Sequence, residues 1–377
     1  MPDAGRRAVV TGASGFIGSA LTGHLTAAGW DVLTVDRRPF ADGRSPSRLA
    51  DVAQEGALAG LLDASTVIFH MSSSPLVSVL VTSYNREAFI AESIESVLAQ
   101  TLTDFELIVS DDQSSDGTVA IVNDYARRDS RIRVSVNERN LGDYPNRNQV
   151  ASLARGRFLK YHDSDDVMYR HCLQAMAEPL AAEPRAAFAL SASAYWPGGP
   201  CPMLLTPLLA YEREFLGSGL FHLGPASAMF RADVFRNLGG FPMAGAASDY
   251  LFWLEACTKV NALLVPGNLF HYRVHAGQEL SSPKSSLEYA QAVGVAWSML
   301  NSNRCPLAAA TREQAKRNFA YGQARGAFRL FKRRQFTASA AIVRHSRLSL
   351  IDWLRYLRPP RRRASAGTPP LREMQHV

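Results

Sequence analysis

The stretch VIFHMSSSPLVSVLVTSYNRE, Val67 to Glu87, holds two strand signals with little more than Ser72, Ser73, Ser74 and Pro75 between them. Each is a short apolar run bounded by turn-forming residues. The first closes one alternating pattern and the second opens another. Upstream, AVVTG reads as a buried strand. GFIGSALTGHLTAAG reads as a helix with Ile17, Leu21 and Leu25 on one face, closed by Gly29. DVLTVD, EGALAGLLD and TVIFH continue as strand, helix and strand, a parallel β-α-β-α-β unit.

Downstream the pattern restarts. VSVLVT is a strand, EAFIAESIESVLAQT an amphipathic helix, FELIVS a strand, GTVAIVNDYARR a helix and RIRVSV a strand. PNRNQVASLARG opens a helix with Pro145 in its first turn, and RFLKYH is the next strand. Past Asp166 the order becomes irregular, with Pro/Gly-rich loops such as YWPGGPCPM. From about Pro283 the chain reads as helical hairpins. The expected organisation is a partial Rossmann-like unit over 1–74, a second α/β domain over 75–282, a helical region over 283–358 and a disordered tail over 359–377.

Hydrophobic residues at 47% and charged residues at 20% of 377 fit a soluble globular protein. The four cysteines form no C-x-x-C pair, which favours a reduced, cytoplasmic compartment. The N-terminus has no apolar stretch of signal-peptide length, and no apolar run is long enough to span a bilayer. From Thr311 to Val377 there are sixteen Lys/Arg against three acids, a net +13, so the rest of a +7 chain carries −6. That argues against a nucleic-acid-binding body and for a tail that meets something anionic. RLSLIDWLRYLRPPRRR groups Leu350, Ile351, Trp353, Leu354 and Leu357, with Arg347, Arg355 and Arg358 at the edges. Such a helix can lie on the inner face of the cell membrane as a peripheral contact, or pack against the helical region.

TGASGFIG, Thr11 to Gly18, sits between a strand and a helix. Gly12 permits the tight turn, Gly15 lets the backbone approach a pyrophosphate, and Gly18 lets helix and strand pack closely. Asp36 ends the second strand, where a carboxylate accepts from a ribose and favours NAD over NADP. Together with VDRRP, Asp51-Val52 and VIFHMSSSP, this opening resembles the extended short-chain dehydrogenase/reductases, the NAD-dependent nucleotide-sugar epimerases and dehydratases. The resemblance implies an adenine contact at Asp51. It covers about residues 5–75. The family's catalytic pair is a Tyr with a Lys four positions later, and none of the twelve tyrosines here has one. NAD binding therefore competes with a fusion remnant used as scaffold, and a half-site loses most of the contacts that offset binding entropy.

From Val77 to about Ser281, several motifs in order resemble the inverting family 2 glycosyltransferases of GT-A type fold: VSVLVTSYNRE, VSDDQSSDGT, NLGDYPNRNQ, KYHDSDDVMY, LGGFPMAGAASDYLFWLEA and HYRVHAGQELS. The implied fold class is α/β, a GT-A nucleotide-diphospho-sugar transferase domain between an incomplete Rossmann unit and a helical C-terminal region. The resemblance places a uracil-type base at Thr82 and Tyr84, with Asp111 and Asp112 as the acidic pair binding the nucleoside. It also implies that Arg147 reaches the diphosphate. Asp163, Asp165 and Asp166 fall on the D-x-D metal motif, and His275 contacts the metal or diphosphate as its loop closes. Clustered carboxylates repel a diphosphate unless Mg²⁺ or Mn²⁺ bridges them, which gives the motif its chemical sense. Asp249 falls on the position of the catalytic base, preceded by Ser248 where the family commonly has an acid. A Ser248 cap would put Asp249 near a positive helix end and lower its pKa. Each residue also has a plainer reading: a turn for Asp111 and Asp112, an exposed arginine for Arg147, a helix cap for Asp249, and a surface histidine for His275.

The function implied is sugar transfer from a nucleotide-sugar donor to a saccharide or lipid-linked acceptor, in polysaccharide or glycolipid synthesis. Two alternatives stand beside it: an NAD-dependent nucleotide-sugar oxidoreductase or epimerase, and a non-catalytic sugar-nucleotide-binding scaffold.

Overall fold

The computed structural model describes residues 7–11, 16–36, 47–49, 66–70, 74–192, 201–217, 219–275, 283–346, 349 and 351. The chain forms two compact units. One comprises Met1–Ser78 with Asp104–Glu106 and Arg155–Arg157, and the other holds the remaining residues.

The first unit contains β1 (Arg7–Thr11), α1 (Phe16–Ala27), β2 (Asp31–Asp36), β3 (Ser47–Leu49) and β4 (Thr66–His70). Its four strands lie in the order β3-β2-β1-β4, and every pair is parallel. The strand β3 has no counterpart in the sequence reading. The EGALAGLLD helix lies outside the described residues. A small core of Ala8, Val10, Leu25 and Val32 closes the unit.

Next come β5 (Val77–Ser83), α2 (Ile90–Leu98), β6 (Phe105–Asp111), α3 (Thr118–Arg128), β7 (Ile132–Val136), α4 (Asp143–Ser152), β8 (Phe158–Asp163) and β9 (Val167–Met168). The strands β5, β6 and β8 are buried on both faces, although β8 carries Lys160, His162 and Asp163 among its six residues. Pro145 falls third in α4, inside the first turn where a missing N–H costs nothing.

Past Asp166 the structure corrects the expectation of irregular chain. It adds α5 (Cys172–Ala182), β10 (Ala186–Ala192), β11 (Met203–Leu205), α6 (Pro207–Leu216), β12 (Ala228–Arg231), α7 (Ala232–Asn237), α8 (Ser248–Ala256), β13 (Asn261–Pro266) and β14 (Phe270–His271). Half of the main sheet comes from this region, in the order β11-β13-β10-β12-β8-β5-β6-β7. The signal was weak because β10 reads AAFALSA, with no β-branched residue, and β11 and β12 are short. Pairing with neighbours on both edges overrides local propensity here.

The helices α9 (Pro283–Asn301), α10 (Ala309–Lys332) and α11 (Phe336–His345) pack on one another as the sequence expects. The amphipathic stretch after Ser346 lies largely outside the described residues. No described helix is long and apolar enough to cross a membrane.

The largest core joins the main sheet to α9 and α10. Its centre is aromatic: Phe230 stacks on Trp253 with ring centroids 5.5 Å apart, and Phe188, Phe235, Phe241 and Phe252 surround them. Trp253 is 0% exposed, and its indole N–H donates to the Leu223 carbonyl at 2.8 Å. The Tyr211 hydroxyl donates to the Leu254 carbonyl at 2.6 Å. These contacts fix α8, the helix that carries Asp249. Trp253→Ala is expected to destabilise the protein by about 3–5 kcal/mol, read as a lower denaturant midpoint.

Candidate active site

The strands β8, β5 and β6 are neighbours, and Asp163, Ser83 and Asp111 stand at their carboxyl ends. Open α/β sheets bind ligands at such strand ends, where connections leave in opposite directions. Tyr84 follows β5 and is 48% exposed, so a ring face is available to a base; Thr82 beside it is half-buried.

The acidic pair after β6 is turned inward. Asp111 accepts from the Ser83 hydroxyl at 2.9 Å and the Ser114 amide at 2.8 Å. Asp112 accepts from the amides of Leu141 and Gly142, both at 2.8 Å, and from Asn137 Nδ2 at 2.8 Å. Its carboxylate therefore ties down the turn that starts α4. Gly142 occupies that turn at φ 86°, a region only glycine adopts freely.

The α4 helix then presents Arg147, buried rather than exposed. Its Nε donates to Asp143 Oδ1 at 2.8 Å and one terminal nitrogen donates to Asp163 Oδ1 at 2.8 Å. The other terminal nitrogen, Nη1, is buried without a hydrogen-bond partner. Burial pushes the Asp163 carboxyl up, but the charge and hydrogen bond of Arg147 outweigh it and hold its pKa below the usual value.

The D-x-D motif turns back on itself, with the Asp166 amide donating to the Asp163 carbonyl at 3.1 Å. Asp165 Oδ2 lies 2.9 Å from His275 Nε2 and 3.2 Å from Arg86 Nε. Asp166 Oδ1 accepts from the Arg273 amide at 3.0 Å, and its Oδ2 is buried without a hydrogen-bond partner. Burial, with Asp163 nearby, pushes the Asp166 carboxyl up to about 7. The contacts with Arg273 and His275 join residues more than a hundred positions apart. The short antiparallel pair of β9 with β14, Phe270 opposite Met168, makes the junction. His275 then rests on Phe89 with ring centroids 4.6 Å apart, and the Arg273 guanidinium lies over the same ring.

Asp249 sits in the first turn of α8 and is 6% exposed. Its Oδ1 accepts from the Tyr250 amide at 2.6 Å. The phenols of Tyr144, on α4, and Tyr289, on α9, lie close enough to its carboxylate to interact with it electrostatically. Burial, with Asp249 close by, raises both phenol pKa values, so both groups stay protonated at neutral pH. Burial pushes the Asp249 carboxyl up to about 6. Two expectations are corrected here. Ser248 does not cap α8: it is the first residue inside the helix, and its hydroxyl donates to the Gly245 carbonyl at 2.6 Å. The Asp249 pKa rises rather than falls, because desolvation exceeds any help from the helix end.

Asp112, Asp143, Arg147, Asp163 and Asp249 thus share one connected electrostatic network. Asp165, Asp166 and His275 adjoin it through the turn after Asp163. Of the N-terminal residues, Gly18 lies in α1 and Asp36 closes β2, while Gly12, Gly15 and Asp51 lie outside the described residues. Asp143, Tyr144, Arg273 and Tyr289 were not singled out from the sequence. Three of them stand inside or beside quoted motifs, but Tyr289 belongs to a helix with no motif. The neighbouring Glu288 accepts from the Ala246 amide at 2.7 Å, so α9 also holds the turn that leads into α8.

Residues 78–239 match the Glycosyl transferase family 2 profile, and residues 8–99 match the NAD dependent epimerase/dehydratase family. The uncharacterized glycosyltransferase EpsJ of Bacillus subtilis strain 168 is 42% identical over 104 residues, 28% of this chain and 30% of that protein. The UDP-Glc:alpha-D-GlcNAc-diphosphoundecaprenol beta-1,3-glucosyltransferase WfgD of Escherichia coli is 43% identical over 99 residues, 26% of this chain and 38% of that protein. The chain thus spans well under half of either relative. The crystal structure of S. aureus TarS 1-349 in complex with UDP-GlcNAc aligns with a TM-score of 0.50 at 21% identity, covering 74% of this chain and 91% of that one. The segment from β5 to α7 is a glycosyl transferase family 2 domain on a GT-A type fold, and the N-terminal unit is Rossmann-like.

Tyr144→Phe removes a phenol hydroxyl whose proximity favours the ionised Asp249. A carboxyl-carbon NMR titration of Asp249 should therefore move to higher pH in this variant. An unchanged titration would exclude the contact.

Proposed function

We propose that the chain transfers a sugar from a nucleoside-diphosphate donor to an acceptor hydroxyl, with inversion at the anomeric carbon. The observation that carries this reading is a buried carboxylate, Asp249, with its pKa near 6, in one network with the acidic motif after β8. A general base works best when its pKa lies near the working pH. Asp249 accepts the acceptor's proton while the hydroxyl oxygen attacks, and the Tyr250 amide holds the carboxylate in place. Tyr84 and Thr82 receive the base of a uridine-type nucleotide. Asp111 and Asp112 shape that pocket by fixing the loops around it. Arg147 offers its unpartnered Nη1 to a phosphate oxygen.

The donor set fits Mg²⁺ or Mn²⁺. Among the described residues no three His, Cys, Asp or Glu converge. An ion that brings diphosphate and water ligands needs only one or two protein ligands. Asp165 and His275 are such a pair, and the unpartnered Oδ2 of Asp166 lies in the same turn. When bound there, the ion would neutralise charge on the diphosphate leaving group. We read the acceptor as a saccharide or lipid-linked saccharide, and the N-terminal unit as a scaffold, since no tyrosine has a lysine four positions later.

A screen for donor hydrolysis over nucleotide sugars with Mg²⁺ or Mn²⁺ tests the reading directly, and no turnover of any donor would overturn it. Asp249→Asn should keep donor binding by calorimetry and lower turnover by about 10² to 10⁴. Because the base must be ionised, kcat/KM should be full above pH 7 and fall as pH drops through about 6. Asp165→Ala should weaken donor binding in the presence of the ion while leaving ion-free binding unchanged.

A further inference from the structure

The fully buried residues of the long helix α10 are small, Ala315, Ala320 and Ala327, and Phe319 packs beside them against Phe215 and Trp297. At its C-terminal end large apolar residues emerge instead. Phe328, Phe331 and Phe336 are 58%, 56% and 54% exposed. They flank one turn, which is fixed by the Gln335 amide donating to the Leu330 carbonyl at 3.0 Å and by Arg334 at φ 60°. Phe331 meets Phe336 edge to face across that turn, with ring centroids 5.3 Å apart.

The rings are set among cations. Arg325, Arg329, Lys332, Arg333 and Arg334 are all exposed, and among the described residues no carboxylate pairs with them. Lys332 Nζ lies 4.7 Å from the centre of the Phe328 ring. From Gln314 to Ile351 the sequence has nine Lys/Arg and no Asp or Glu. An apolar tip ringed by cations without acids matches a surface that is anionic outside and apolar beneath, which is the layering of an anionic bilayer. Bases of a single-stranded nucleic acid would need flat faces to stack on. Here Phe331 and Phe336 turn edges to each other and Lys332 covers Phe328, so the patch favours lipid.

We propose that the α10–α11 turn, from Phe328 to Phe336, docks this protein on an anionic lipid bilayer. The three rings enter the interface and the surrounding Arg and Lys side chains engage headgroup phosphates. Neither kind of contact holds a protein firmly alone, and together they supply the two signals that stable peripheral binding requires. None of these residues belongs to the donor site, so the proposal stands or falls apart from the sugar-transfer reading.

Co-sedimentation of the full chain with vesicles tests it, using phosphatidylcholine alone and phosphatidylcholine with about one-third phosphatidylglycerol. Binding to the anionic vesicles should exceed binding to the neutral ones by at least about tenfold at physiological salt. The variants F328S/F331S/F336S and K332E/R333E/R334E should each lose about tenfold or more of that binding, with unchanged circular dichroism and donor hydrolysis. Binding equal to that of the parent chain in both variants overturns the proposal. So does loss of binding only in R347Q/R355Q/R358Q, which would place the anchor in the tail. Capture of single-stranded RNA without vesicle binding would overturn it as well.

Discussion

The site depends on the two ion pairs of Arg147. A guanidinium this deeply buried would be costly by itself, and so would Asp163 at the end of β8. Each makes the other tolerable, with Asp143 as the third member. The pairing also sets geometry. It orients α4 against the strand that ends in the acidic motif, and α4 carries Tyr144 to Asp249. The Tyr161 hydroxyl donates to the Arg147 carbonyl at 3.0 Å, so the aromatic core supports the same helix from beneath.

Around that centre the fold separates two carboxylate environments. Asp163 is held charged by Arg147, while Asp166 and Asp249 are pushed toward neutral pH by burial. Similar side chains thereby differ in how readily they ionise, because neighbours and desolvation act in opposite directions on the charged form. The C-terminal helices share in this tuning. Tyr289 and Glu288 come from α9, beyond the matched family segment, and reach Asp249 and the turn before α8.

Much of the α/β pattern up to Asp163 was legible, because strands buried on both faces and amphipathic helices leave strong periodic signals. The half of the sheet past Asp166 was not, since β10 is rich in alanine and its strand state comes from its neighbours. At the site, the motif residues Asp163, Asp165, Asp166, Asp249 and His275 could be picked out by type and order. Their partners could not. Tyr289 sits in an unremarkable helix, and the duty of Asp112 as a brace for Leu141 and Gly142 has no mark in the local sequence.

The sequence by itself determined which segments are strands and helices over the first α/β stretch, the family they resemble, and the identity of the acidic motif. Those properties rest on short-range periodicity and on motifs a few residues long. Only the tertiary structure decided that Arg147 is buried against Asp163, that Ser248 holds a loop rather than a helix end, and that α9 reaches Asp249. These are meetings of residues distant along the chain. Desolvation and hydrogen-bond partners exist only once packing has brought such residues together, so no local pattern encodes them.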